Sequence, residues 1–167
     1  MIERVLLAVD ASAASRQAVA YVGRIFGPRP PGGYEITLFH VVDTVPADQV
    51  PAVSSPDLQR VLEQALQDWA HQAVERAVKQ MEKYRELLAT QGVPLEAVKL
   101  KHHLEEVRPE ARRVAAALAI LREARDGGYT TVVLGRRGSS NVPDLYLGGV
   151  AEKVSRHLAG ATVWIVD

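Results

Sequence analysis

Five short runs of strand-forming character alternate strictly with four longer stretches of helical periodicity in this 167-residue chain. The runs fall at residues 5–9, 35–42, 95–104, 130–134 and 162–166, and a helical pattern separates each from the next. Such a strict alternation leaves few folds open. Parallel strands cannot be joined by a tight turn and need a crossover, normally a helix, wound right-handed. The order β-α-β-α-β-α-β-α-β therefore predicts an α/β protein: an open, five-stranded parallel sheet with helices on both faces. Residues 130–134, Thr-Thr-Val-Val-Leu, are β-branched and apolar on both faces, as a central parallel strand should be.

Local signals mark the elements. The first run stops at Asp10, Ser12 is a candidate N-cap, and Ala14, Ala18, Val22 and Ile25 follow at helical spacing. Residues 27–33, Gly-Pro-Arg-Pro-Pro-Gly-Gly, form a loop, and Pro46 and Pro51 make residues 43–54 another. Ser55-Pro56-Asp57 starts a helix, with a capping hydroxyl, a proline at the first position and an early acid. From there Leu58, Val61, Leu62, Ala65, Trp69, Ala73, Ala77, Met81, Tyr84 and Leu88 recur at threes and fours. An unbroken helix over 58–90 would be roughly 50 Å long, so a bend or an overhanging first half is expected. Gly92-Val93-Pro94 ends it. Pro109 opens the next helix, with Val114, Leu118 and Leu121 expected inward, and Asp126-Gly127-Gly128 closes it. Leu147, Val150, Ala151, Val154 and Leu158 form the apolar face of the last. Neither an internal repeat nor a composition shift divides residues 1–167, which read as one domain.

Composition narrows the function. Twenty basic and 20 acidic residues balance to a formal net charge of +0, which gives no electrostatic footprint for nucleic acid or an anionic membrane. The absence of cysteine removes disulfides, thiol chemistry and thiolate metal sites. The longest apolar stretch, 114–121, is too short to span a bilayer, and the first residues lack a signal-peptide layout. The expected location is the cytoplasm.

The chemistry concentrates after the fourth strand. Gly135-Arg136-Arg137-Gly138-Ser139-Ser140 is followed by Gly148-Gly149, giving glycines spaced G-x2-G-x9-G across a helix start. Strand, glycine loop and helix N-terminus together make an anion site: backbone N–H groups converge, glycine admits close approach, and the helix end favours negative charge. Ser139 and Ser140 offer hydroxyls. Arg136 and Arg137 add positive charge, serving either phosphate contact or a solvated loop face.

These residues resemble the nucleotide-binding motif of the universal stress proteins, G-x2-G-x9-G followed by Ser or Thr. Val9-Asp10-Ala11-Ser12 and His40-Val41-Val42-Asp43 are similar to the ends of the first two strands in that family, and the likeness runs from Glu3 to Val166. It implies a three-layer, adenine nucleotide alpha-hydrolase-like fold with sheet order 3-2-1-4-5. Asp10 and the Gly135 loop would then flank one crevice at the carboxyl ends of strands 1 and 4. It further implies that Asp10 faces the ribose or adenine, that the Val41 main chain meets the adenine edge, and that Gly135, Gly138, Ser139, Gly148 and Gly149 cradle phosphates. Asp10 serves equally well as a cap of the first helix. The implied ligand is ATP or AMP, with or without Mg2+. The chain departs from the pattern at Gly149, where a phosphate-binding hydroxyl is lost, and that favours weaker binding or a shorter phosphate chain.

The other tempting residues carry less. His40, His71, His102, His103 and His157 are scattered; adjacent His102 and His103 on a strand point to opposite faces, which argues against a metal site. No Gly-x-Ser-x-Gly elbow and no Gly-Lys-Ser/Thr phosphate loop is present. Three readings follow: a nucleotide-binding stress or regulatory protein with little or no turnover, a nucleotide-independent interaction module of the same family, or an adenylating or slow ATP-hydrolysing enzyme. The first two predict a homodimer through the apolar last strand, Thr162, Val163, Trp164, Ile165 and Val166, if it lies at the sheet edge.

Overall fold

The computed structural model describes residues 2–45, 51, 53–138 and 147–167. Its strands β1 (Glu3–Ala8), β2 (Tyr34–Thr44), β3 (Val98–Glu106), β4 (Thr131–Gly135) and β5 (Thr162–Val166) form one sheet, ordered β3-β2-β1-β4-β5. Every pairing is parallel, with Val5 opposite Ile36 on one side and Thr131 on the other. The helices are α1 (Ala13–Phe26), α2 (Pro56–Thr90), α3 (Arg112–Asp126) and α4 (Gly149–His157).

Alternation along the central strands sends side chains to two cores. On one face Val5, Leu7, Ile36, Leu38 and Val133 pack with α1 and α2 through Ala18, Val22, Phe26, Met81 and Leu88. On the other, Leu6, Phe39, Val132 and Leu134 pack with α3 and α4 through Ala117, Ile120, Ala151 and Val154. Burying each Val, Leu, Ile or Phe contributes about 1.5–3 kcal/mol, which makes the three central strands the anchor of the fold.

The strands lie close to their predicted positions, with edges moved by pairing. β2 runs on through Asp43 and Thr44, which the sequence assigns to a loop, and β3 ends at Glu106 opposite Thr44 rather than at Leu104. Leu95–Ala97 is a short 3-10 turn, not strand. Parallel pairing of two neighbours is cooperative, so each extends the other past the point where local propensity fades.

α2 is unbroken over 35 residues, and its first half overhangs. Only Ala77, Met81, Tyr84 and Leu88 of its long apolar series are buried, whereas Leu58, Val61 and Trp69 are exposed. The sheet supplies a surface only about half as long as the helix. The α3 prediction needs a larger correction. Pro109–Ala111 is a 3-10 turn, α3 starts at Arg112, and the inward residues are Ala117, Ile120 and Ala124, with Leu121 packed at the margin. Val114 and Leu118, expected inward, are exposed. α3 meets the sheet through Ile120 flanked by the small Ala117 and Ala124, a face that leaves Val114 and Leu118 outside. Gly128, at φ +63°, turns the chain from α3 into β4, a left-handed conformation that glycine adopts without strain.

β5 is an edge strand of the sheet. Its Trp164 turns inward onto Tyr21, edge-to-face at 5.9 Å between ring centroids, and onto Phe26 at 6.1 Å. Among the described residues no helix is long and apolar enough to cross a membrane.

Candidate functional site

Successive connections leave the sheet in opposite directions from β1 and β4. Open α/β sheets form a crevice at such a point, beyond the carboxyl ends of the strands. Here β1 runs into Val9 and Asp10 while β4 runs into the glycine loop. Asp10 is held on all sides. Its Oδ1 accepts from the Ser12 N–H at 2.9 Å and the Ser15 hydroxyl at 2.7 Å, and the Ser15 Oγ accepts from the Asp10 N–H at 2.9 Å. Ser12 caps α1 as predicted, its Oγ accepting from the Ser15 N–H at 3.1 Å. The Tyr84 hydroxyl, from the buried half of α2, donates to the Asp10 carbonyl at 2.8 Å, and His40 Nδ1 lies 2.7 Å from the Val9 carbonyl. Burial pushes the Asp10 carboxyl up, but the hydrogen bonds from Ser12 and Ser15 together outweigh it, and nearby His40 assists. The net result is a pKa below the ordinary aspartate range. Asp10 thus both organises the start of α1 and presents a fixed anion, with Oδ2 toward Gly138.

The glycines of the loop have different reasons to be glycine. A Cβ on Gly135 would lie 2.8 Å from the Ala14 Cβ and 2.9 Å from its carbonyl carbon, so Gly135 lets α1 sit against β4. A Cβ on Gly148 would lie 3.0 Å from the Arg136 carbonyl oxygen, which accepts the Gly148 N–H at 2.9 Å. A Cβ on Gly138 would lie 3.2 Å from Asp10 Oδ2, across the crevice mouth. The loop is tied to the sheet edge by Arg136, whose N–H donates to the Val166 carbonyl at 2.6 Å and whose guanidinium pairs with Asp167 at 2.6 Å. Gly148 caps α4 without a side-chain hydrogen bond, so the first N–H groups of α4 have no intrahelical partner.

Together these parts enclose a cleft of about 690 Å³, within the usual range for a small-molecule site. Ala8, Phe39, Leu134 and Ile120 give it an apolar floor. Of the residues singled out in the sequence, Asp10, Val41, Gly135, Arg136, Arg137, Gly138, Gly148 and Gly149 all line it, drawn from both halves of the chain. Ser139 and Ser140 lie outside the described residues. The structure adds Ser15, Asp43, Glu110, Arg112 and Arg113, which sequence reasoning missed. Arg112 pairs with Asp43 through its Nε at 2.5 Å. Burial raises the Asp43 carboxyl above its ordinary range, against the opposing pull of Arg112. One signal for the α3 residues was present: a basic pair in the first turn of a helix opposes the helix dipole. Among the described residues no group of three or more His, Cys, Asp or Glu is gathered to hold a metal ion.

The sequence profile of the Universal stress protein family matches residues 1–166. The chain belongs to that family. No curated protein sequence matches it. Solved structures agree on the fold. Hypothetical protein MJ0577 is 21% identical, with a TM-score of 0.67, covering 99% of this chain and 96% of its own. A universal stress protein in complex with cAMP is 16% identical, with a TM-score of 0.56 and coverage of 99% and 96%. A universal stress protein family protein from Arabidopsis thaliana with AMP bound is 17% identical, with a TM-score of 0.55 and coverage of 98% and 90%.

Proposed function

We propose that this universal stress protein domain binds an adenine nucleotide, ATP or AMP, in the cleft between β1 and β4, and that it acts as a regulatory binder rather than a turnover enzyme. The observation that carries the reading is the cleft itself. It has the volume of a small-molecule site and an apolar floor, and Gly138 lies beside Gly148 at the N-terminus of α4, where phosphates are favoured. The AMP and cAMP complexes of the two similar proteins support it. In this arrangement Asp10 faces the ribose or adenine, the Val41 main chain meets the base, and the glycine loop takes the phosphates.

The hydrogen bonds to Asp10 argue for slow chemistry. A general base works best with a pKa near the operating pH, and Asp10 is held on the opposite side of its ordinary value. Mg2+ would come with the phosphate chain of ATP, since such ions are commonly held by one or two carboxylates plus substrate phosphates. We further propose a cytoplasmic homodimer joined along β5, whose outer edge carries Val163 and Ile165.

The test is to denature protein purified without added nucleotide, analyse the supernatant by mass spectrometry, and titrate fresh protein with ATP and AMP. Micromolar binding that Gly138→Val abolishes is the expected result. An empty supernatant and no binding at millimolar ligand would overturn the reading and favour a nucleotide-independent interaction module.

A further inference from the structure

Gly149 and Arg113 occupy one space. A Cβ built on Gly149 would lie 3.3 Å from Arg113 Cδ and 3.9 Å from Arg113 Cβ. The room left by the missing side chain on α4 is therefore filled by the arginine stem from α3. Both residues line the cleft. The neighbouring cations are engaged in ion pairs, Arg112 with Asp43 and Arg136 with Asp167. Among the described residues Arg113 has no such pair. It also stands in the first turn of α3, where a positive charge is disfavoured by that helix's dipole. Its stem packs against Gly149, the first residue of α4, in the turn whose N–H groups have no intrahelical partner.

We propose that Arg113 is a phosphate-binding residue of this cleft, supplying from α3 the donor that Gly149 cannot supply from α4. The inference rests on the nucleotide reading above and makes it more specific: the ligand is a phosphorylated nucleoside, and its phosphate is held between the α4 N-terminus and a guanidinium. A guanidinium offers two parallel N–H donors to phosphate oxygens and keeps its charge at any physiological pH. A hydroxyl at position 149 and the arginine at 113 are then alternatives, because the Cβ of one crowds the Cδ of the other.

The experiment is a calorimetric titration of adenosine, AMP and ATP into the unmodified protein, Arg113→Gln, Arg113→Lys, Gly149→Ser and the double variant Arg113→Gln/Gly149→Ser. Arg113 is exposed, so melting temperatures are expected to match. Arg113→Gln should weaken AMP, ATP or both about ten- to hundredfold, the range for losing a charge-assisted hydrogen bond, and leave adenosine within about twofold. Arg113→Lys should recover part of the loss. The double variant should also recover part of it, whereas Gly149→Ser alone, crowding the arginine, should give no gain. Unchanged phosphate binding in Arg113→Gln, or an equal loss for adenosine, would overturn the inference while leaving the nucleotide reading intact. Failure of the unmodified protein to bind any of the three ligands would overturn both.

Discussion

Replacing Gly135 by alanine separates a packing glycine from a ligand-access glycine. The new Cβ would fall 2.8 Å from the Ala14 Cβ, 2.9 Å from the Ala14 carbonyl carbon and 3.0 Å from its oxygen. Unstrained carbon contacts sit at about 3.5–4.0 Å, so the overlap is with main chain and cannot be relieved by a rotamer. α1 must move, yet its start is fixed by the Ser12 cap and the Asp10–Ser15 hydrogen bonds. Overpacking of this kind costs about 1–3 kcal/mol. The backbone at Gly135 has no positive φ, so alanine also narrows the unfolded ensemble and returns about 0.4–1 kcal/mol. Taken at the middle of both ranges, the net loss is about 1–2 kcal/mol. At about 2–4 °C per kcal/mol for a chain of this size, Tm should fall by roughly 2–8 °C. The comparison is Gly138→Ala, whose Cβ among the described residues meets only the Asp10 carboxylate at 3.2 Å and should leave Tm nearly unchanged. Scanning calorimetry of both variants decides the matter. A Gly135→Ala protein that melts at or above the unmodified temperature would refute the reasoning and reassign that glycine to ligand access.

Three further outcomes are expected. Because the folded Asp10 pKa lies below 3.8, its ionised form contributes stability that is present above that value and lost as pH falls through the folded pKa; urea unfolding should show the advantage of the unmodified protein over Asp10→Asn shrinking only below about pH 4. Leu88→Ala, at a fully buried position, should cost about 2–5 kcal/mol, whereas Val61→Ser on the exposed half of α2 should stay within about 0.5 kcal/mol, both read from denaturant midpoints. On β5, Thr162 donates to the Thr130 carbonyl and Val166 accepts from Arg136, so the Val163 and Ile165 N–H groups point out from the sheet edge; Ile165→Pro removes one of them, and sedimentation should show a dimer turned monomer.

Much of the cleft was readable from the chain. Asp10 stood out because an apolar run stopped at it, and the glycine loop stood out by spacing and by its place between a strand and a helix. What spacing could not reveal was why each glycine is needed. Gly135 answers to Ala14, Gly138 to Asp10, and Gly148 to the Arg136 carbonyl, each a contact across the fold. Ser15, Arg112 and Arg113 were missed for a related reason. Nothing in the sequence around residue 112 shows that α3 starts beside α4.

The sequence by itself determined the class and order of the elements. Period-two and period-3.6 patterns, with proline and glycine between them, are local properties, and strict alternation of strands and helices admits little besides a parallel sheet with crossovers. Family membership and the glycine motif were likewise present in the residues alone. Tertiary structure decided which amphipathic faces found a partner. Leu58, Val61 and Trp69 have the spacing of a core face but overhang the sheet, and Val114 and Leu118 yield the inward side of α3 to Ala117 and Ile120. Hydrophobic periodicity records that a side chain favours burial; whether it is buried depends on what surface the rest of the chain places opposite it.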